Sequence, residues 1–207
     1  MEETDKRSLD FRAYIVWAIV LGAIIIDQII KVVVKLSMYL HESFAVCGDW
    51  FYIYFTENPG MAFGMELGSK LLLTLFRIFA VSFLIYYLYK IVGNKKFSTG
   101  YVIAIAFILA GAVGNIIDCL FYGEIFTDSI GRVASIVPWG DGYGTFLHGK
   151  VVDMFHFPLF RWPEWMPWIG GDVFFSPIFN FADACISCSV IAIALFYNKY
   201  VSYSFRK

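Results

Sequence analysis

A chain of 207 residues that is 59% hydrophobic and only 16% charged falls well short of the roughly 25% charged residues usual in soluble domains, so an all-round water-facing surface is excluded. The net charge of −1 offers neither the basic excess of a nucleic-acid binder nor an acidic solvating tail, and no nucleic-acid partner is expected. The length is that of a single domain, and a mean hydropathy of +0.68 with a 20% aromatic share suits broad lipid-facing and interfacial surfaces.

A membrane-spanning helix needs about 20 largely apolar residues. Lys6, Arg7 and Arg12 precede the first such stretch, roughly Tyr14 to Val34. Asp27, Gln28 and Lys31 follow its core directly and no small-x-small cleavage site appears, so it reads as a retained helix and not as a removed signal. Asp27 and Lys31 are four apart with the acid first, the favourable order for an ion pair. They either close the helix at the interface or orient residues beside a site. Next comes an outer segment, about 37–70. Its run Trp50-Phe51-Tyr52-Ile53-Tyr54-Phe55 is β-prone, and Asn58-Pro59-Gly60 predicts a turn. A short strand or hairpin on the outer membrane surface is expected.

The second and third helices are predicted at roughly Leu71–Val92 and Tyr101–Phe121. In the third, Gly111 and Gly114 permit close helix approach, and Asn115 and Asp118 share a face. That polar pair either pins helices together or belongs to a site. A second outer segment, about 122–177, holds four of the six tryptophans: Trp139, Trp162, Trp165 and Trp168. Pro158, Pro163 and Pro167 forbid a long helix there. It reads as an interfacial lid or as a membrane anchor, with indoles at headgroup depth. The fourth helix is predicted at roughly Ile178–Tyr200, and Asn180 and Asp183 repeat the Asn-x-x-Asp spacing near its outer end.

The fold class expected is a mainly α membrane protein: four transmembrane helices, a small extracytoplasmic β-rich cradle and an interfacial loop or lid, all in one domain over 1–207. Lys6, Arg7, Arg12, Lys90, Lys95, Lys96, Lys199, Arg206 and Lys207 fall on one side of a four-pass arrangement, which places both termini in the cytoplasm. Cys47, Cys119, Cys185 and Cys188 make no disulfide framework. The CxxC at Cys185 lies inside an apolar run, as small helix residues do.

An aspartate at the centre of a spanning helix costs about 2.5–3.5 kcal/mol on insertion scales, so retained acids are informative. Asp153 lies between Val152 and Met154, poorly placed for ordinary solvation. Asp153 and Asp183 are the natural pair: two neighbouring carboxyls cannot both ionise easily, so one keeps its proton while the other acts as base. His41, His148 and His156 form no HExxH, no Gly-x-Ser-x-Gly occurs, and no metal spacing or phosphate loop is present. Acids within a membrane also mark ion paths, so a proton-linked transporter or channel is the alternative, and a non-catalytic assembly factor a third reading.

Five blocks resemble, in order, those of the lipoprotein signal peptidase (signal peptidase II) family. They are Asp27-Gln-Ile-Ile-Lys31, Asn58-Pro-Gly60-Met-Ala-Phe-Gly64, Gly111-Ala-Val-Gly-Asn115-Ile-Ile-Asp118, Gly149-Lys-Val-Val-Asp153-Met-Phe155 and Phe179-Asn180-Phe-Ala-Asp183. The resemblance implies an intramembrane aspartyl peptidase of the bacterial inner membrane. Such an enzyme cuts diacylglyceryl-modified prolipoproteins just before the lipidated cysteine. Asp153 and Asp183 would be the catalytic dyad; Asn58, Gly60, Asn115, Asp118, Asn180, Asp27 and Lys31 would bind substrate or support it. No cofactor or metal is implied. Membrane lipid and the prolipoprotein are the expected partners, and a monomer is the expected state. Two features depart from the family pattern. Cys119 stands where an Arg usually follows the third-block Asp, with Arg132 or Arg161 as candidate replacements. The chain between Asp118 and Asp183 is also longer than in short relatives.

Overall fold

The computed structural model describes residues 2–59 and 70–204. Gly60 and the remainder of its block through Gly64 lie outside them; of the expected turn, Asn58 and Pro59 are described, Asn58 as the last residue of a strand. The chain divides into two compact units: a helical unit of residues 2–28, 71–117 and 181–204, and a sheet unit of residues 29–59 and 118–180.

Helix α1 runs from Glu2 to Lys35, a start well before the predicted Tyr14. The extra turns are polar but free of Gly and Pro and rich in Glu, Lys, Arg and Leu, which hold helical geometry at little cost. Helix α2 spans Lys70–Val92 and α3 spans Thr99–Ile117. The chain leaves α3 through a π-helical turn, Asp118–Tyr122, into a short α4, Gly123–Ile125. Helix α5 is Phe181–Ala192, followed by a second π turn, Ile193–Tyr197, and α6, Asn198–Ser204. Among the described residues, four helical stretches are long and apolar enough to cross a membrane: Asp10–Lys35, Leu71–Val92, Thr99–Ile125 and Phe181–Tyr203.

The third stretch is the core of the helical unit. Its apolar window is 61% buried, against 11–22% for the others. Tyr101, Val102, Ile105, Ala106 and Leu109 of α3 pack on Val16, Val20 and Ala23 of α1 and on Leu88, Ile91 and Val92 of α2. By contrast Leu72, Phe76, Phe79, Phe83 and Tyr89 of α2 are exposed, as a lipid-facing stripe requires. Close approach of α3 and α5 depends on the two glycines. A side chain at Gly111 would strike the Ala182 carbonyl and Ile186, and one at Gly114 would press on the Asp27 carboxylate.

In the sheet unit, strands β1 (Ser43–Cys47), β2 (Phe51–Asn58), β3 (Val151–His156) and a two-residue strand at Ile178–Phe179 form an antiparallel sheet in the order given. Strands β4 (Phe160–Arg161) and β5 (Val173–Phe174) form a separate hairpin, and the Ile178–Phe179 strand is β6. The hairpin carries the expected tryptophans outward: Trp165 and Trp168 are exposed, Trp168 at 99%. The predicted fourth helix began at Ile178, whereas that residue and Phe179 are strand, paired with His156 and Phe155. A two-residue apolar strand has no periodicity to distinguish it from the first turn of an apolar helix. The shift matters, because it puts Asp183 in the first turn of α5.

Gly111→Val is expected to lower the thermal unfolding midpoint in detergent, with an overpacking cost of about 1–3 kcal/mol. Gly22, whose added side chain would meet nothing within 4 Å, should accept Ala with little change in the same measurement.

Candidate active site

In the helical unit the polar residues converge on the start of α5. Asp27 is 1% exposed, and its Oδ1 accepts the backbone N–H of Ala182 at 3.0 Å. The first N–H groups of a helix have no partner within it, and a carboxylate there also meets the positive end of the helix dipole. Gln28 Nε2 donates to Asp27 Oδ2 at 3.2 Å and to the Gly114 carbonyl at 3.1 Å. Asp27 therefore ties α1 to α5 against the gap left by Gly114. One turn further, Asn115 Nδ2 donates to Asp183 Oδ1 at 2.8 Å. The asparagine of the first Asn-x-x-Asp pair thus holds the acid of the second.

The sheet unit repeats the device. Strand β3 is buried over Val151–Met154, with Asp153 3% exposed. Fully buried Asn180 donates from Nδ2 to Asp153 Oδ1 at 2.6 Å and to the Val152 carbonyl at 3.3 Å. Asp118, also fully buried, accepts the Val152 N–H at 3.1 Å and pairs with Lys31 Nζ at 2.9 Å. A side chain at Gly149 would collide with the Asp118 backbone carbonyl, so only glycine fits just before this strand. Asn58 ends β2 opposite Val151, while Thr56 lies opposite Asp153.

One cluster was not singled out from the sequence. Lys35 Nζ pairs with Glu57 Oε1 and accepts no water-facing position, being 0% exposed. Glu57 Oε2 pairs with Lys150 at 3.0 Å, and Ser129 Oγ lies 3.1 Å from Lys35 and 3.2 Å from Glu57. Burial opposes the charge on Glu57, but Lys35 and Lys150 outweigh it and hold the carboxyl below its ordinary value. Burial pushes the Tyr143 hydroxyl well above its ordinary value. The spacing of Lys31 and Lys35, one helical turn apart at the end of an apolar helix, is the signal that could have exposed the cluster.

The guanidiniums considered for the place of Cys119 are engaged at the surface. Arg132 pairs with Asp128, and Arg161 donates to the Gly171 carbonyl at 3.1 Å. Cys119 itself is buried. Among the described residues no group of three or more His, Cys, Asp or Glu side chains is disposed to hold a metal ion.

Four apolar helices, with aspartates held by asparagine amides, define a multi-pass membrane protein that carries polar side chains in its interior. Residues 19–199 match the family described as signal peptidase (SPase) II, and the chain belongs to that peptidase family. It is 49% identical over 192 residues to a lipoprotein signal peptidase of Porphyromonas gingivalis (strain ATCC 33277), covering 91% of this chain and 84% of that protein. It is 36% identical to one from Amoebophilus asiaticus (strain 5a2), covering 86% and 75%. A solved bacterial membrane enzyme, determined by the in meso method at 2.3 Å, superposes with a TM-score of 0.62 at 25% identity, covering 93% of each chain. Family and helices together make this a multi-pass inner-membrane protein.

Lys31→Met removes one partner of a buried charge and is expected to cost about 3–5 kcal/mol. Adding Asp118→Asn should recover part of the loss in thermal unfolding. Glu57 has a depressed carboxyl, so its contribution to stability is complete above the ordinary Glu range, about pH 4.3, and is lost as pH falls through the lower folded value. Unfolding midpoints should therefore be level above about pH 5 and fall below it, and Glu57→Gln should flatten that acid limb.

Proposed function

We propose that this chain is an aspartyl endopeptidase that removes the signal peptide from diacylglyceryl-modified prolipoproteins at the outer face of the inner membrane. Membership of a peptidase family and similarity to lipoprotein signal peptidases support the activity and leave the transporter alternative without support. Asp153 and Asp183 are the dyad. The observation that carries this assignment is the matched pair of asparagine contacts, Asn180 on Asp153 and Asn115 on Asp183, at 2.6 and 2.8 Å. Each amide fixes one carboxylate oxygen and so sets the carboxyl's orientation. Asn58 and Gly60 serve the substrate backbone, while Asp27, Lys31, Asp118, Asn115 and Asn180 hold the acids in place.

In the reaction, the ionised aspartate takes a proton from water as the oxygen attacks the scissile carbonyl. The protonated aspartate hydrogen-bonds to that carbonyl and then gives its proton to the departing amine. The bond to the lipidated cysteine breaks, and the pair ends with one proton, as it began. The signal helix enters laterally from lipid and the acyl chains remain there. The exposed tryptophans of the β4–β5 hairpin suit headgroup depth, and the hairpin limits bulk water at the bond. Both termini are cytoplasmic, in keeping with the lysines and arginines at one set of helix ends, and the enzyme acts as a monomer.

Cleavage of a synthetic diacylated lipobox peptide by the purified protein tests this directly. Asp153→Asn and Asp183→Asn should each lower kcat by more than about 100-fold, a loss of acid–base catalysis, with unfolding midpoints kept near wild type. Near-normal turnover by either variant removes the dyad assignment.

A further inference from the structure

The last two turns of α1, which belong to the sheet unit, carry two fully buried lysines, Lys31 and Lys35. Lys31 serves Asp118, which holds the Val152 N–H. Lys35 serves Glu57, which in turn holds Lys150. The second set frames the same strand. Glu57 lies opposite Val152, between Thr56, opposite Asp153, and Asn58, opposite Val151. Lys150 immediately precedes β3.

The β2–β3 ladder is irregular between Ile53 and Thr56. The buried run Val151–Met154 has no in–out alternation to hold its register, and a slip of one residue would turn Asp153 to the opposite face of the sheet. A Glu57–Lys150 tie across the two strands prevents that slip. Lys35 in turn fixes Glu57. Its Nζ lies 5.8 Å from the ring centre of Phe55, 5.5 Å from that of Phe126 and 4.9 Å from that of Tyr143. Tyr143 accepts the Lys150 backbone N–H at 2.7 Å, and the Lys150 ammonium lies 5.3 Å from its ring centre. Apolar residues would fill this space with less desolvation, since a buried ion pair seldom adds net stability over a hydrophobic replacement. Such a cluster is better explained by specificity of geometry and charge than by stability.

We propose that Lys35, Glu57 and Lys150 are positioning residues for the peptidase reaction, a clamp that sets both the register of β3 and the charge beside Asp153. The proposal rests on the assignment of Asp153 as catalytic. The clamp carries two positive charges and one negative. Among the described residues, the other charged or titratable groups facing the strand include Lys31 and Asp118 at Val152, and Tyr52, Tyr54 and His156 at its far end, with Asp183 as the proposed partner acid. Removing the Glu57 charge leaves an additional uncompensated positive charge near Asp153 and favours its ionised form. Removing the Lys150 charge does the reverse.

The test is the pH dependence of kcat/KM for the diacylated peptide. Glu57→Gln should move the acid limb to lower pH and Lys150→Gln to higher pH. Each shift should be about half a pH unit, the order expected for one charge on a neighbouring strand at an effective dielectric of ~20 or above. The double variant, which restores the net charge of the clamp, should return the limb to its wild-type position while kcat stays about 10-fold low, the order for a slightly misplaced catalytic group. Lys150→Arg should keep both. Loosening alone would move the two single variants in the same direction, or leave the limb unmoved, and either result overturns the proposal. Should Glu57→Gln fail to accumulate, the partly exposed Lys150 variants still decide it: an unmoved limb in Lys150→Gln overturns the proposal. An active Asp153→Asn enzyme would sink the dyad itself, whereas unmoved limbs alongside an inactive Asp153→Asn would sink only the clamp.

Discussion

The amide of an asparagine on one oxygen of each aspartate is the contact from which the rest of the account follows. A carboxyl in an apolar interior is expensive to ionise and free to rotate unless something holds it. Asn115 and Asn180 do the holding, the first partly buried and the second fully so. They need a rigid backbone to do so. Asn115 sits in α3, the most buried of the four spans, and Asn180 directly follows β6, at the edge of the sheet.

Each layer of the molecule then has a reason. Glycine at 111 and 114 brings α3 against α5 and makes room for Asp27. Asp27 satisfies the Ala182 N–H and so fixes where α5 starts. Lys31 neutralises Asp118, which can then hold the Val152 amide without leaving a buried charge alone. The ion pairs are weak as sources of stability and strong as devices that fix direction.

Much of this was legible in the chain. Apolar runs of helical length revealed the spans, because only a helix satisfies its own backbone in lipid. Asp153 stood out because an acid between Val152 and Met154 has no ordinary explanation, and it lies on a buried strand. Other features were not legible. Ile178 and Phe179 were read as helix because two apolar residues look alike in either state. The spacing of Asp27 and Lys31 shows nothing of their distant partners: Asp27 reaches Ala182, 155 residues away, and Lys31 reaches Asp118. The meeting of Lys35, Glu57 and Lys150 is not legible either, since a helix-end lysine can snorkel to water or turn inward and its partner lies far along the chain. Long-range partners of this kind are set by topology, which spacing does not encode.

The central proposal is that two acids from distant parts of the chain act on one scissile bond. Oxidative cross-linking of an Asp153→Cys, Asp183→Cys double variant, made with the four native cysteines replaced by Ala, tests it directly. The account predicts a disulfide-bonded product in high yield, because the partners of one dyad lie within reach of a disulfide. A folded double variant that forms no cross-link would contradict it.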